Sequence, residues 1–282
     1  MCFFRTVKVK DAPFSLARPG ALLVCILAFC SNALSAEWQA TVTKDPPGNF
    51  PPPRPLRAKY NFGWSGLTAA TSDVRFANLS GDRFLLEGAG RTSGLARVLW
   101  RFDVNYRAVA DAGTLRPIEM KQTETVRSKK VLTQLAFTNA GVTRVRTETP
   151  SAPGPVKSRE FKFPNLFDLH SAMLYLRSQP LKDRSVQRIV VYPAGSAYLA
   201  TLTVVGRERI SVRAGAYNAI KMDLQLSKIG KKLELEPHKK FRKATVWVSD
   251  DSDRLILRID AQVFVGTVFA ELQSVRFDNP KS

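Results

Sequence analysis

The side chains able to do chemistry are few. Two histidines stand in 282 residues, His170 and His238. Asp168, His170 and Ser171 sit close together and offer the residue types of a serine hydrolase, which needs nucleophile, base and orienter in reach of one another. As sequence neighbours near a helix start they are no demonstrated triad, and no GxSxG elbow is present. The plainer readings are a capping or partly buried His170 and a solvated His238. Two distant histidines give no metal-ligand spacing, and no glycine-rich phosphate loop occurs. Asp250, Asp251 and Asp253 are hard oxygen ligands, but their run is too short for an EF-hand and lacks its glycine and terminal glutamate. It reads as a turn, because Asp and Ser side chains hydrogen-bond nearby backbone. Carboxylates from distant strands can meet, so a glycosidase-like pair stays open. The residues assign no catalytic role, no metal and no cofactor.

The three cysteines are Cys2, Cys25 and Cys30. All fall in an N-terminal stretch that reads as a secretory signal peptide, residues 1–35. Arg5, Lys8, Lys10 and Arg18 make it basic, the apolar run Ala21 to Cys30 is too short to span a bilayer, and Ala33-Leu34-Ser35 supplies small residues for cleavage. A second reading takes Leu27-Ala28-Phe29-Cys30 as a lipobox with Cys30 lipidated, although Phe29 departs from the small residue expected there. Either reading places the protein in the periplasm or envelope with no thiol left. The chain carries +19 at neutral pH. Losing a leader with four basic residues and one acidic leaves it strongly basic. That charge suits anionic lipid, glycolipid or cell-wall polymer as a partner, or solubility alone, while export argues against nucleic acid.

The elements that would position any site are mostly strands. In the last third, Leu255, Leu257, Ile259, Ala261, Val263 and Val265 alternate with Arg254, Arg258, Asp260 and Gln262, with Ile256 and Phe264 as exceptions. That period of two is a half-buried strand. Ala244 to Val248 precedes it and Thr267 to Phe277 follows, so the three form a meander. Residues 36–57, rich in proline, read as a linker. Residues 58–277 read as a β-rich exported domain, divisible into two halves near 149–157, and 278–282 as a tail. Gly88 and Gly90 mark a bulge or a close backbone approach. Thr92 to Trp100 predicts a short helix. Asp168 to Arg177 predicts the main one, capped by Asp168, with Leu169, Met173 and Leu176 on one face and Pro180 ending it. The fold class is mainly β: curved antiparallel sheets, as two half-barrel-like halves or one open barrel, with one main helix near 168–178 as a plug or lid over the sheet's open face. Ser227 to Lys243 reads as a basic loop.

This order of segments resembles a family of Gram-negative exported proteins that share a domain of unknown function. The resemblance rests on Tyr60-Asn61 to Leu67, Thr92-Ser93-Gly94-Leu95, Asp168 to Leu181, Gly215 to Leu224 and above all Val246 to Leu272, and it spans Lys59 to Phe277. It implies an envelope protein and supplies no activity or catalytic residue.

The first functional expectation is therefore a non-catalytic protein that binds a hydrophobic or anionic envelope ligand, lipid or glycolipid, in a β-sheet groove. Tyr60, Trp64, Trp100 and Met173 would line the groove. Lys231, Lys232, Lys239, Lys240, Arg242 and Lys243 would face anionic groups. The alternatives are a structural partner in an envelope protein assembly and a hydrolase with a carboxylate site.

Overall fold

Alternating apolar and polar residues over most of the chain leave it little choice but strands, and each strand must bury one face. The computed structural model describes residues 38–49, 51–150, 156–238, 241–263 and 266–278. The elements run β1 Leu56–Trp64, β2 Leu67–Leu79, β3 Arg83–Thr92, α1 Gly94–Leu99, β4 Phe102–Asp111, β5 Pro117–Val126, β6 Lys129–Thr138, β7 Gly141–Thr149 and β8 Lys157–Lys162. They continue with β9 Leu166–Phe167, α2 Leu169–Ser178, β10 Val186–Val191, β11 Ala197–Val212, β12 Gly215–Ile229, β13 Leu235–Pro237, β14 Phe241–Ser249, β15 Ile256–Val263 and β16 Gly266–Phe277.

Of the two predicted arrangements, the single open barrel is the one present. The described strands form one sheet of 16, ordered β8-β7-β6-β5-β4-β3-β2-β1-β16-β15-β14-β12-β11-β10-β9, with β13 attached to β12. The first strand lies beside the last, because β1 pairs with both β2 and β16. Residues 149–157 join β7 to its neighbour β8, so they connect strands of one sheet. The predicted C-terminal meander is β14, β15 and β16, in register at Val246↔Ile259 and Ile259↔Ala270. Its inward residues Leu257 and Leu272 are fully buried.

The main helix forms where the sequence places it. Asp168 is the N-cap: its carboxylate accepts from the Ser171 amide at 2.6 Å, and the Ser171 hydroxyl accepts from the Asp168 amide at 3.1 Å. The helix crosses the inside of the curved sheet. Leu174 packs with Phe76, Phe84, Ala110 and Leu115 on one flank. Ala172 and Tyr175 pack with Ile189, Leu202, Ile220 and Val246 on the other. The predicted Leu169–Met173–Leu176 stripe is not the buried face: His170, Ser171, Ala172, Leu174, Tyr175 and Ser178 are buried, Met173 and Leu176 are half-buried, and Leu169 is exposed, because the sheet packs on other sides of the helix.

The ends of the sheet meet through side chains. β9 supplies only two residues, parallel to β10 at Val190 and Val191. Further along, Thr43 covers the β10 edge, donating its amide to the Arg188 carbonyl at 2.8 Å and accepting the Arg188 amide on Oγ1 at 2.9 Å. Trp38 stacks on Phe163 with centroids 5.5 Å apart, and Phe161 lies 5.9 Å from Tyr192. The stretch expected to be a linker is thus anchored: Trp38 and Val42 are buried, and the carbonyls of Asp45 and Pro46 accept from Tyr175 Oη and Gln179 Nε2.

β11 runs on to Val212 through a register shift between Val204 and Gly206. Two local expectations are resolved. The expected basic loop is mostly hairpin: β12 runs on to Ile229, Leu235–Pro237 returns along it, and β14 begins at Phe241. Gly88 marks no bulge. It is a close approach, since a Cβ there would collide with the ring of Tyr106.

The helix as a plug makes a stability prediction. Leu174→Ala should cost about 2–5 kcal/mol, by losing transfer energy and leaving a cavity. Tyr175→Phe should cost about 1 kcal/mol, by removing the bond to Asp45. Urea denaturation of both variants checks the order; equal midpoints for Leu174→Ala and wild type would show that the helix carries no core load.

Candidate functional site

The Asp168–His170–Ser171 neighbourhood does not assemble as nucleophile, base and orienter. Ser171 Oγ donates to Asp168 Oδ1 at 2.7 Å. The His170 ring faces Phe76, 6.0 Å between centroids, and its Nε2 is buried with no hydrogen-bond partner. Burial pushes the Asp168 carboxyl up to about 6, against the opposing pull of the Ser171 hydrogen bonds. Burial alone pushes His170 down to about 3. His238 is packed rather than solvated: its Nδ1 accepts the Phe241 amide at 2.8 Å, and its ring lies between Tyr198 and Phe241. The acidic turn 250–253 is occupied by its own surroundings. Asp251 Oδ1 accepts from the Asp253 and Arg254 amides, Arg54 bonds Asp253 and Arg207 bonds Asp250. Among the described residues no three or more His, Cys, Asp or Glu side chains stand together as a metal cluster.

The predicted groove residues go to different places. Tyr60 points inward, packs with Leu257 and Leu272, and donates its hydroxyl to the Ile256 carbonyl at 3.0 Å. Met173 is partly buried on α2. Trp64 ends β1 and Trp100 follows α1, so both sit at one rim of the sheet, 48% and 38% exposed. Trp64 and Trp100 share a rim; Tyr60 packs against the interior and Met173 is half-buried on α2. Of the predicted anion-facing residues, Lys231 and Lys232 are exposed in the β12–β13 turn and Lys243 is exposed on β14. Lys239 and Lys240 lie outside the described residues, and for Arg242 only its place on β14 is described.

A concavity of 790 Å³ lies elsewhere, across five adjacent strands, β16, β1, β2, β3 and β4. It runs along exact register: Val275, Ala58, Val74, Gly88 and Tyr106 are successive cross-strand partners. Ala58 and Val275 belong to the core, so the residues on either side of them point outward. One outward row is Ser274, Lys59, Asp73, Ala89 and Asn105. The other is Arg276, Arg57, Arg75, Glu87 and Arg107. The groove lies between the two rows.

The second row is the unusual one. Arg276, Arg57 and Arg75 are directly opposed on three neighbouring strands. Directly opposed like charges destabilise a sheet, their Cβ atoms being about 5 Å apart. Partial relief comes from Glu87, 3.1 Å from Arg75, and from Asp278, 3.8 Å from Arg57. Among the described residues Arg276 pairs with no carboxylate. The two carboxylates of the groove are both engaged, Asp73 with Lys59 at 3.7 Å and Glu87 with Arg75. Sequence reasoning missed this row because its members are up to 219 positions apart, and one of them, Arg57, fell in the supposed linker. The available signal was the polar phase of each strand; only strand order joins the phases.

A model of proteins of unknown function, DUF3108, matches residues 59–273. The chain belongs to the DUF3108 family. The match covers almost the whole stretch on which the sequence resemblance rests. No curated protein matches. Among solved structures, a beta-barrel-like DUF1849 protein from Brucella abortus superposes with a TM-score of 0.55 at 10% identity, covering 80% of this chain and 99% of its own. That similarity shows the fold. An exported protein with a YmcC-like fold from Bacteroides fragilis covers 80% of this chain and 98% of its own, with a TM-score of 0.36 at 9% identity.

The buried pair gives this DUF3108 domain a pH signature. Asp168 has a raised folded pKa, so its contribution to stability falls as pH rises from about 4 to about 6. His170 has a depressed one, so its contribution falls as pH drops below about 6.5. The two oppose each other between about pH 4 and 6. His170→Gln removes only the second, so the variant should gain stability relative to wild type as pH is lowered through this window. Urea midpoints measured against pH check it; a constant difference would mean that His170 is not held neutral.

Proposed function

We propose that this protein acts in the cell envelope, exported by its N-terminal leader, as a non-catalytic binder of an anionic amphiphile, a lipid or glycolipid, held against the outer face of its sheet. The observation that carries the reading is the row Arg276–Arg57–Arg75 beside the 790 Å³ groove. Three opposed guanidiniums cost stability in the empty protein, and a phosphate or carboxylate bridging them would relieve it. Arginine suits that role, because its planar fork meets such anions with two parallel hydrogen bonds. The small residue Ala89 and the aliphatic stems of the row give an acyl or sugar portion something to lie on.

A structural partner in an envelope assembly is the second reading, and β8 is where it would act. β8 ends the sheet. Its exposed Arg159 and Glu160 are the charged side chains with which proteins discourage strand addition, so the groove supports the binding reading better.

Native mass spectrometry with short-chain phosphatidylglycerol and with a phosphorylated lipid A fragment tests the proposal. Wild type should form one-to-one adducts. Arg57→Ala/Arg75→Ala should weaken them about thirty-fold, at about 1 kcal/mol per cation, with a smaller salt dependence. Adducts of equal strength in both proteins, or none in wild type, would overturn the reading.

A further inference from the structure

The connection between β3 and β4 is longer than two antiparallel neighbours require. A two-residue turn would join them, yet the chain makes α1, whose sequence Gly94-Leu95-Ala96-Arg97-Val98-Leu99 buries no residue at all. Leu95 is 74% exposed, Val98 82% and Leu99 69%. Leu67, at the start of the strand on which α1 packs, is 73% exposed. With Trp64 and Trp100 at the same end of the sheet, six exposed apolar side chains gather at one rim, whereas exposed apolar residues on a monomer are ordinarily scattered.

The rim is held in place. Arg97 donates to the Thr92 carbonyl at 3.3 Å and to the Asp103 carboxylate at 2.9 Å. Thr92 Oγ1 donates to the Trp100 carbonyl and accepts the Phe102 amide, both at 3.1 Å. The Ser93 amide donates to the Ala69 carbonyl at 2.9 Å. These bonds fix both ends of the connection while its apolar side chains point to solvent.

Its surroundings are basic. Arg91, Arg101, Arg127 and Lys130 are exposed. The Arg127 amide donates to the Arg101 carbonyl at 3.1 Å, which sets the β5–β6 turn against the foot of α1. Asp103 beside them is shared by Arg97 at 2.9 Å and Arg101 at 3.8 Å, which leaves the group net basic. A fixed apolar tip carrying leucine, valine and tryptophan, flanked on the β3–β6 side by three arginines and a lysine, matches one partner by its chemistry. Apolar side chains enter the acyl boundary, indoles favour the interface, and guanidiniums meet anionic headgroups.

We infer that the α1 rim is a docking surface for an anionic lipid bilayer. It would hold the protein at a membrane independently of the groove. A single short apolar tip gives reversible rather than permanent attachment.

Vesicle flotation separates the possibilities, using phosphatidylcholine vesicles with and without phosphatidylglycerol. Wild type should float with the anionic vesicles and do so less at high salt. Leu95→Asp/Val98→Asp should lose about tenfold or more of that binding, with an unchanged melting temperature because both side chains are already in water. Arg101→Ala/Arg127→Ala should lower binding to anionic vesicles while leaving the fold intact. Arg57→Ala/Arg75→Ala should float like wild type even if the groove binds nothing, so failure of the groove reading is a separate result. The inference fails if wild type does not float, or if Leu95→Asp/Val98→Asp floats equally well. It also fails if sedimentation velocity without lipid shows a dimer that this variant abolishes, because the rim then meets a second copy of the chain.

Discussion

The structure depends on one helix crossing the inside of an open sheet. A sheet of this size must curl to bury its apolar face, and here the curl leaves two flanks facing each other with a gap too wide for their own side chains. α2 fills the gap. Leu174 reaches one flank, Ala172 and Tyr175 the other. Its polar ends are tied as carefully: the Asp168–Ser171 capping box satisfies the first turn, and Arg177 donates to the carbonyls of Pro51, Ser252 and Asp253 beyond the last. Without the plug the inner faces of β2, β3, β10 and β12 would have water between them.

The same curl explains the division of labour between faces. The inside is where the buried clusters around α2 pack. The concavity lies where rows of long outward side chains rise from a twisted surface, and its floor is the backbone of five strands. Edge management follows as well. The two terminal strands are not hydrogen-bonded to one another; Trp38, Phe161, Phe163 and Tyr192 stack across the seam, and Thr43 satisfies part of β10. The segment ahead of β1 is therefore part of the fold, although its prolines read as a spacer.

Much of the architecture was legible because it is written in local periods. The two-residue alternation through Leu255 to Val263 gave the meander, and Asp168, with Pro180 beyond, gave the main helix within a residue. What was not legible depends on which strands become neighbours. Arg57, Arg75 and Arg276 each look like ordinary solvated residues, and only the pairing of β1 with β2 and β16 makes them a row. The basic stretch 227–243 reads as a loop, but pairing of Leu235–Pro237 with the end of β12 makes much of it a hairpin, with Lys231 and Lys232 in its turn. Trp64 and Trp100 were picked out as aromatics and do share a rim. Their neighbours Leu95, Val98 and Leu99 gave no warning, because an apolar triplet in a short helix ordinarily faces a core.

The adjacency of β1 and β16 has a kinetic side. Contacts between the start and the finish of a chain carry the largest loop-closure cost and slow folding. β2 to β8 can zip by hairpins alone, yet the inner cluster around Ala58 lacks Leu257 and Leu272 until the C-terminal strands arrive. The barrel therefore cannot be completed while its last strands are still being delivered. A polypeptide built this way can pair its middle strands early, but it reaches its final shape only when β16 joins β1.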